Sequence, residues 1–229
     1  HWAVNYVFVS DLIKYCNDYS IKLVHISTDY VYAGSVYNAS ETDVPVHSNN
    51  WYSYTKLLGD GLVQLQAKKY LVCRCTHKPN PFPYDSAWID QVGNFDYVDN
   101  IARLIIDMIK QELTGLYNVG TELKTMFDLA SQTKDVSKSF TPTHVPKNQS
   151  MNLYKMDKAL NIPFFSIAIP TYGYNGRGAE FLDFSLELIK NQTFSSFEVV
   201  ISDHSIDNTI LNVVDKWKDL INIKYVVNE

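Results

Sequence analysis

The sequence predicts an α/β protein, because short apolar runs alternate with longer amphipathic helical patterns along the chain. Residues 21–26 and 70–75 are apolar runs of strand length, and a helical pattern over residues 52–68 lies between them. A strand, a helix and a second strand in this order form a parallel pair joined by a crossover helix. The same order recurs over residues 161–229. We therefore predict two successive α/β domains, each built on a parallel sheet, with the first one doubly wound.

The first predicted domain covers residues 1–160. Its three longer predicted helices span residues 3–18, 52–68 and 96–112. Thr125 is predicted to cap a further short helix that ends at residue 131. Its predicted strands span residues 21–26, 70–75 and 116–119. Residues 29–50 are rich in Tyr, Ser, Asn and Asp and predict a surface loop. Segments 77–84 and 134–150 contain prolines and predict irregular structure.

The second predicted domain covers residues 161–229. Buried strands are predicted at residues 163–170, 197–202 and 221–227, and helices at residues 180–191 and 207–220. Asp207 is in position to cap the second of these helices. Strands that alternate with helices indicate a parallel sheet with crossover helices.

Composition excludes several classes of function. The chain has 229 residues and a formal net charge of -5, so it offers no broad basic surface and nucleic acid is not expected as a partner. Three cysteines are too few for a disulfide framework and favour a reducing, cytoplasmic compartment. No apolar run approaches the roughly 20 residues of a membrane span. Both chain ends adjoin predicted secondary structure, which predicts a fragment of a longer protein, and formation of a homo-oligomer is left open.

Thr28, Tyr52 and Lys56 are the candidate catalytic residues. Tyr52 and Lys56 are four residues apart on a predicted helix and therefore share a face. A nearby ammonium favours the phenolate, so Lys56 is expected to lower the pKa of Tyr52 from its ordinary value near 10. Thr28 follows a predicted strand, at the sheet edge where parallel sheets place their ligands. These residue types suit proton transfer to a substrate oxygen during hydride transfer.

The Tyr-x-x-x-Lys pair alone leaves an alternative open. A second such pair, Tyr154 and Lys158, occurs in a segment with no threonine at a strand end in the expected place. We interpret that second pair as accidental, and for Tyr52 and Lys56 the alternative is an amphipathic helix with a solvated lysine. The surrounding sequence has to decide between the two interpretations.

That surrounding sequence resembles the extended short-chain dehydrogenase/reductases that act on nucleotide sugars. The resemblance covers about residues 1–160 and lies in KLVHISTDYVYAG, YSYTKLLGD, DQVGNFDYVDNIARLI and GLYNVGTELKTMFDLA. The sequence is most similar to the sugar-nucleotide-binding group that includes dTDP-4-dehydrorhamnose reductase. The resemblance implies a partial Rossmann-like fold that binds NADP(H) or NAD(H) and a nucleotide-sugar substrate. It also implies that Tyr52 is the proton donor, that Lys56 is its electrostatic and ribose partner, that Thr28 orients the substrate and that Ser27 adds a cofactor contact.

Two segments differ from that family. The sequence has no G-x-G-x-x-G loop of the kind that binds a dinucleotide pyrophosphate. The strand that holds Arg74 leads into RCTHKPNPFPYDSAW, where the reductases have an Arg-x-Ser-Trp stretch. His77 and Trp88 in this segment either line the substrate pocket or belong to an ordinary loop. A non-catalytic binding or scaffold module is therefore the alternative hypothesis.

The C-terminal third resembles the start of a family 2 glycosyltransferase with a GT-A fold. The resemblance lies in SIAIPTYGYNGRGAEFL and NQTFSSFEVVISDHSIDNT. It implies that Pro170 and Thr171, at the end of the first strand, and Asp203, at the end of the second, contact the nucleotide of a sugar donor. The divalent metal site of that family is expected beyond the last residue of this chain, and no metal site is predicted within it.

The functional hypothesis is therefore a fragment of a bifunctional carbohydrate-biosynthesis protein. Residues 1–160 would be an NAD(P)-dependent nucleotide-sugar reductase or epimerase domain, as in dTDP-rhamnose biosynthesis. Residues 161–229 would be the N-terminal half of a glycosyltransferase domain, and the two together would suit polysaccharide biosynthesis. In the alternative, the first domain only binds a dinucleotide or sugar nucleotide, and the transferase is the only active part.

Overall fold

A computed structural model describes residues 1–32, 37–43, 50–163 and 165–228. The chain divides into two compact units, His1–Leu160 and Asn161–Glu229. Each unit is described here by itself. None of the helices within the described ranges combines the length and the apolar character that crossing a membrane requires.

The first unit contains five α-helices among its described residues, together with many short strands. Its helices are α1 (Phe8–Asp18), α2 (Trp51–Gln66), α3 (Val98–Lys110), α4 (Met126–Ser131) and α5 (Tyr154–Ala159). Its strands are β1 (Leu23–Ser27), β2 (Tyr70–Arg74), β3 (His77–Lys78), β4 (Ser86–Trp88), β5 (Val92–Gly93), β6 (Asp96–Tyr97), β7 (Gly115–Asn118), β8 (Lys124–Thr125), β9 (Ser137–Ser139) and β10 (Asn148–Gln149). A π-helical turn, Ala3–Val7, precedes α1, and a 3₁₀ turn, Asp29–Tyr32, follows β1.

The main sheet of this unit is parallel and has the strand order β1-β2-β7. Ser27, the last residue of β1, lies opposite Arg74, the last residue of β2. The two strands therefore end at the same edge of the sheet, where Thr28 and the 3₁₀ turn begin. The predicted parallel pairing of the strands on either side of α2 is confirmed.

Helix α2 packs closely against the N-terminal π-helical turn. The Asn50 side chain caps the helix by accepting a hydrogen bond from the Tyr52 backbone N–H at 2.9 Å. A Cβ on Gly59 would lie 2.4 Å from the Asn5 carbonyl oxygen, which is closer than real Cβ atoms come. Glycine at position 59 therefore lets the backbone of α2 approach the backbone of the N-terminal π-helical turn.

Several sequence predictions for this unit need correction. Residues 29–32 are not part of a surface loop, because the side chains of Asp29, Val31 and Tyr32 are buried. The rest of the predicted loop, residues 33–36 and 44–49, lies outside the described residues. The two proline-containing segments, residues 77–84 and 134–150, are not wholly irregular. The first contains β3, which pairs with β6, and the second contains β9, which pairs with β4. Local patterns did not reveal these two- and three-residue strands, since each depends on a partner distant in sequence.

The second unit has the predicted strand and helix order. Its elements are β11 (Phe165–Thr171), α6 (Gly178–Lys190), β12 (Phe197–Asp203), α7 (Thr209–Trp217) and β13 (Ile223–Val227). The three strands form a parallel sheet in the order β11-β12-β13. Its core consists of apolar side chains from α6, α7, β12 and the turn before β13: Leu182, Leu186, Val199, Ile201, Ile210, Val214, Trp217 and Ile221.

Two predictions for the second unit are wrong in detail. Strand β11 was expected to be buried, but its side chains are exposed or only partly buried, because it pairs with β12 alone among the described strands. Helix α7 begins at Thr209 with Asn208 at its N-cap, rather than at Asp207. The Asp207 carboxylate nevertheless accepts the Thr209 backbone N–H at 3.0 Å, so it satisfies a donor just inside the helix.

Candidate functional site

The structure brings Thr28, Tyr52 and Lys56 together at the carboxyl end of β1. The Tyr52 side chain, in the first turn of α2, lies near Thr28, whose side chain lowers the pKa of Tyr52. Lys56, one turn later, donates from Nζ to the Ile26 carbonyl oxygen at 2.8 Å. Thr28 is buried, whereas Tyr52 and Lys56 are half-buried. Two hydroxyl groups and an ammonium therefore meet at the sheet edge that parallel α/β proteins use for ligands.

The pKa of Tyr52 differs from the expectation. Burial raises the pKa of Tyr52 above its ordinary value, the Thr28 side chain partly opposes that rise, and the negative charge of Asp29 adds to it. Sequence analysis expected Lys56 to lower this pKa. The Lys56 ammonium instead binds the Ile26 carbonyl oxygen, and the described residues around Tyr52 favour the neutral phenol. Tyr52 is thus held in the form that can donate a proton.

The pKa of Lys56 is shifted in the opposite direction. Burial lowers the pKa of the Lys56 ammonium, and the negative charge of Asp60, four residues further along α2, opposes this effect. The helix thus carries a carboxylate one turn from the candidate lysine. That carboxylate helps to keep Lys56 charged.

Asp29 is a part of the site that sequence analysis missed. Its side chain is 1% exposed, and burial raises the pKa of its carboxyl group to about 6. The Thr76 hydroxyl donates to Asp29 Oδ1 at 2.5 Å, and the Thr28 hydroxyl donates to the same oxygen at 3.3 Å. The signal in the sequence was an acidic residue directly after the strand-end threonine, within a segment that resembled a surface loop.

Ser27 provides a test of whether the site fits a nicotinamide cofactor. Its Oγ atom is buried and has no hydrogen-bond partner among the described residues. The Lys56 ammonium has three protons, and one of them is used on Ile26. A ribose or carboxamide group would accept the remaining Lys56 protons, whereas the enclosed Ser27 Oγ atom offers a cofactor no accessible surface. Tyr52 and Lys56 therefore fit the nicotinamide end of such a cofactor, and the Ser27 hydroxyl does not.

A buried network on the inner side of α2 fixes the helix to the sheet. Arg74 Nε donates to Asp60 Oδ2 at 3.0 Å, and His25 Nε2 lies 3.3 Å from Asp60 Oδ1. The Arg74 guanidinium also donates to the Tyr32 hydroxyl at 2.5 Å, which in turn donates to Asn118 Oδ1 at 3.0 Å. These residues hold β1, β2, β7 and the 3₁₀ turn in place around the candidate site.

The segment that differs from the reductases forms a cavity. The cavity has a volume of about 320 Å³ and is lined by Lys78, Phe82, Tyr84, Ser86, Ala87, Trp88 and Met126. Trp88 therefore lines a cavity, and its contact with a substrate stays a prediction. His77 is exposed and is not part of this lining.

The second unit places its three candidate residues at one edge of its sheet. Thr171 lies opposite Asp203 in the pairing of β11 with β12. Pro170 and Thr171 line a cavity of about 300 Å³ whose lining also includes Tyr172, Tyr174 and Phe181. The aromatic rings of Tyr172, Tyr174 and Phe181 give the cavity apolar walls.

Asp203 is buried, and the protein itself occupies both of its carboxylate oxygens. The Ser205 backbone N–H donates to Oδ1 at 2.9 Å, and the Tyr225 hydroxyl donates to Oδ2 at 2.6 Å. Burial and this carboxylate together raise the pKa of Tyr225 to about 12. Asp203 thus holds the strand ends together, whatever else it contacts.

Within the described ranges, no three His, Cys, Asp or Glu side chains are grouped as metal ligands. The three cysteines, Cys16, Cys73 and Cys75, are buried and unpaired.

Comparison with known proteins gives a family match for the start of the chain. The model of the RmlD substrate-binding domain family matches residues 1–77, which include Thr28, Tyr52 and Lys56. A search of curated proteins found validoxylamine A glucosyltransferase of Streptomyces hygroscopicus subsp. jinggangensis (strain 5008), which is 38% identical over 71 residues. That match covers 30% of this chain and 16% of the glucosyltransferase.

Solved structures with the same fold are nucleotide-sugar enzymes. The dTDP-4-dehydrorhamnose reductase of Clostridium acetobutylicum ATCC 824 is similar with a TM-score of 0.58 and 22% identity, over 69% of this chain and 65% of that one. The dTDP-4-dehydrorhamnose reductase of Bacillus anthracis str. Ames, in complex with NADP, is similar with a TM-score of 0.58 and 21% sequence identity. The match covers 69% of this chain and 70% of that one. UDP-glucuronic acid 4-epimerase of Bacillus cereus, in complex with NAD, is similar with a TM-score of 0.54 and 20% sequence identity. The match covers 68% of this chain and 58% of the epimerase chain.

These comparisons confirm the predicted fold class of the first part of the chain. The chain spans 65% of the length of the Clostridium reductase and 16% of the length of the curated glucosyltransferase. It contains an RmlD-like segment, and its α/β fold with parallel sheets resembles the Rossmann-like fold of dTDP-4-dehydrorhamnose reductase.

Proposed function

We propose that residues 1–160 form part of an NAD(P)-dependent oxidoreductase that reduces or epimerises a nucleotide sugar. The observation that carries the proposal is that the start of α2, with Tyr52, lies near Thr28 at the end of β1, and that Lys56, one helical turn later, donates to the Ile26 carbonyl oxygen of the same strand. The RmlD family match and the fold shared with reductases and an epimerase support the substrate class.

In the proposed reaction, Tyr52 and Lys56 would hold the nicotinamide end of the cofactor, which would supply or accept the hydride. Tyr52 gives its hydroxyl proton to the carbonyl oxygen that becomes an alcohol, because its raised pKa keeps it protonated at neutral pH. The Thr28 hydroxyl orients the same substrate oxygen. Lys56, whose ammonium donates to the Ile26 carbonyl oxygen, has further protons with which it would bind the ribose of the cofactor.

The phosphate groups of the cofactor need a part that this sequence lacks. No G-x-G-x-x-G loop occurs in the 229 residues, and that loop supplies the backbone N–H groups that bind a pyrophosphate. The proposal therefore concerns the complete protein in which residues 1–160 act. The activity, the substrates and any self-association of that complete protein are part of the proposal.

The test compares two tyrosines that occur in the same local pattern. Tyr52→Phe in the complete protein should lower nicotinamide-dependent turnover of a dTDP- or UDP-linked ketosugar by about 100-fold or more, the size of a general-acid contribution. Tyr154→Phe is the matched control, since Tyr154 also precedes a lysine by four residues but is exposed on α5. Equal turnover in the two variants would contradict the proposal.

A second function is proposed for residues 161–229, as the N-terminal half of a GT-A glycosyltransferase domain. The cavity beside Pro170 and Thr171 supports this assignment, as does the 38% identity of a 71-residue stretch of the chain to a glucosyltransferase. Tyr172 and Tyr174 offer aromatic faces on which a nucleotide base can stack. The complete transferase is proposed to use a divalent metal whose ligands lie outside this chain.

Thr171 allows a test of the donor site that leaves the buried Asp203 intact. Thr171→Tyr fills the cavity and should weaken binding of a nucleotide-sugar donor to the complete protein, measured by calorimetry. Thr193→Tyr is the control, because Thr193 is exposed and does not line the cavity. Unchanged donor affinity in Thr171→Tyr would exclude this cavity as the donor site.

The alternative function is a binding module without catalysis in the first unit. The proline-rich segment that forms the cavity beside Phe82 and Trp88 favours this alternative, since it replaces a stretch that shapes the sugar pocket in the resembled reductases. Binding of NAD(P) or of a nucleotide sugar by the complete protein, with no turnover of any ketosugar tested, would favour the module over the enzyme.

A further inference from the structure

One cavity of the first unit combines apolar walls with a lysine. It has a volume of about 320 Å³, and its floor consists of the buried core residues Phe82, Ala87 and Met126. Tyr84 and Ser86 are exposed and form part of its rim. Ligand pockets usually measure about 300–1,000 Å³. The cavity is therefore large enough for one sugar ring with a substituent, but too small for a complete nucleotide sugar.

Lys78 lines this cavity and has no ionic partner within the described part of the chain. It is the only charged residue of the lining, and its ammonium makes no hydrogen bond or ion pair with a described residue. Asp85, an acidic residue of the same segment, is paired with Lys134 at 2.6 Å. Unlike the Ser27 Oγ atom, Lys78 Nζ is not enclosed by the protein, so a ligand can reach it. Charged groups in partly buried sites are ordinarily paired, so this ammonium is suited to bind an anion.

The charged end of the cavity lies close to the candidate site. The Thr76 hydroxyl donates to Asp29 Oδ1 at 2.5 Å, and Asp29 follows Thr28 directly in the chain. Lys78 follows Thr76 by two residues, which span at most about 7 Å even when fully extended. Burial raises the pKa of Asp29 and lowers the pKa of Lys78, and in each case the charge of the other residue opposes the shift. One ligand can therefore extend from the candidate site to Lys78.

The donors of the lining favour a carboxylate over a diphosphate. They are the Lys78 ammonium and the hydroxyls of Tyr84 and Ser86. A diphosphate is ordinarily bound by several backbone N–H groups or by guanidinium groups, and it carries more charge than one lysine balances. A single carboxylate has the charge of one lysine and can accept hydrogen bonds from an ammonium and a hydroxyl at once. The anion that fits this lining is therefore a carboxylate.

The aromatic residues of the lining fit the ring that would carry this carboxylate. The rings of Phe82 and Tyr84 meet at 75° with their centroids 5.6 Å apart, so they form a corner. Trp88 ends β4, and the pairing of β4 with β9 fixes its backbone. Such flat faces pack against the C–H groups of a sugar ring, whose hydroxyls can still reach water. The cavity thus offers apolar contacts for a ring and one positive charge for its acidic group.

We propose that this cavity binds the sugar of a nucleotide-linked hexuronic acid, with the sugar carboxylate on Lys78 Nζ and the ring against Trp88. Lys78 then determines specificity, because it distinguishes an acidic sugar from a neutral sugar of the same size. The assignment of this sugar as a substrate rests on the proposed oxidoreductase function, whereas the binding of its carboxylate does not.

The experiment compares two ligands that differ in one group. UDP-glucuronic acid and UDP-glucose carry a carboxylate and a hydroxymethyl group, respectively, at the same ring carbon, and the dTDP-linked pair differs in the same way. Calorimetry on the complete protein should give an affinity for the acidic sugar that is about tenfold higher or more, the size of a hydrogen bond to a charged group. If neither acidic ligand binds, or if the acidic and neutral sugars bind equally, the proposal is wrong.

Variants of two lysines locate the source of this preference. Lys78→Gln should lower the affinity for the acidic sugar about tenfold and leave that for the neutral sugar unchanged, whereas Lys78→Arg should retain the preference. Lys138→Gln is the matched control, because Lys138 lies opposite Ala87 in the pairing of β4 with β9 but is exposed and does not line the cavity. An equal loss for both sugars in Lys78→Gln would assign Lys78 to the diphosphate and overturn the proposal. An equal loss of preference in Lys138→Gln would overturn it as well.

Trp88 tests whether the sugar ring occupies the cavity. Trp88→Ala should weaken the binding of both sugars by a similar factor and leave their ratio unchanged, because it removes an apolar face and no charge. Circular dichroism confirms that each variant is folded. Unchanged affinities for both sugars in folded Trp88→Ala would place the ring elsewhere and contradict the proposal.

The outcome for the sugar site is separate from the outcome for catalysis. If Tyr52→Phe leaves turnover unchanged while Lys78→Gln removes the preference for the acidic sugar, the proposed function fails and the binding site for the acidic sugar stands. If Tyr52→Phe abolishes turnover while Lys78→Gln leaves the preference unchanged, the oxidoreductase function stands and this inference fails.

Discussion

The Arg74 guanidinium donates from Nε to the Asp60 carboxylate at 3.0 Å, and both side chains are buried. Arg74 ends β2, and Asp60 lies in the middle of α2. This ion pair therefore fixes the helix that carries Tyr52 and Lys56 to the sheet that carries Thr28. The geometry of the candidate site depends on a contact that involves none of the candidate catalytic residues.

Removal of Asp60 should be strongly destabilising. Asp60→Ala leaves the Arg74 charge buried without its carboxylate, and we expect the free energy of unfolding to fall by about 3–5 kcal/mol. Urea denaturation measures this change. Asp107→Ala is the control, because the Lys110–Asp107 pair is exposed and should contribute only about 0–1 kcal/mol. Similar losses in the two variants would show that the buried pair has no special role.

Two glycines in α2 should respond to alanine in opposite ways. A Cβ on Gly59 would lie 2.4 Å from the Asn5 carbonyl oxygen, so Gly59→Ala should lower the free energy of unfolding by about 1–3 kcal/mol. A Cβ on Gly61 would meet no atom within 4 Å, so Gly61→Ala should raise it by about 0.5–1 kcal/mol through helix propensity. Thermal unfolding followed by circular dichroism compares the two. A stabilising Gly59→Ala would contradict the close approach of the two backbones.

The features that the sequence predicted are local ones. Thr125 was predicted to cap a helix, and its side chain indeed forms a capping box with Asp128, three residues away. The proximity of Thr28 and Tyr52 could be expected because a strand end and a helix start are both visible in the sequence. Strand pairing confirmed the parallel order around α2.

The features that the sequence did not predict depend on distant partners. Asp29 is buried because Thr76, 47 residues away, supplies a hydroxyl group to its carboxylate. Polar residues such as Asp29 ordinarily indicate an exposed loop, so local composition pointed the wrong way. The direction of the Tyr52 pKa was missed for a similar reason, since it depends on burial and on Asp29 rather than on the lysine four residues away.

The stability of the chain should depend on pH through Asp29. Its pKa is about 6 in the folded state and 3.8 in the unfolded chain, so the folded state binds the proton more tightly. Its effect on stability is therefore favourable at low pH and is lost as pH rises from about 4 to about 6. Asp29→Asn cannot ionise and should gain up to about 3 kcal/mol relative to the natural chain over that interval. Urea denaturation at a series of pH values measures this difference, and a difference that does not vary with pH would contradict the assigned ionisation.

The Tyr225 hydroxyl should stabilise the second unit through Asp203. Tyr225→Phe leaves Asp203 Oδ2 buried without its donor at 2.6 Å, and the cost of such an unsatisfied acceptor is about 1–3 kcal/mol. Tyr172→Phe is the control, because Tyr172 is 55% exposed and its hydroxyl can bind water. Hydrogen exchange of the β12 and β13 amides reports on this unit alone, since opening of the sheet exposes them. We expect faster exchange in Tyr225→Phe and unchanged exchange in Tyr172→Phe. Equal exchange in both would mean that the Ser205 N–H is enough to hold the Asp203 carboxylate, and that the strand ends of β12 and β13 do not depend on Tyr225.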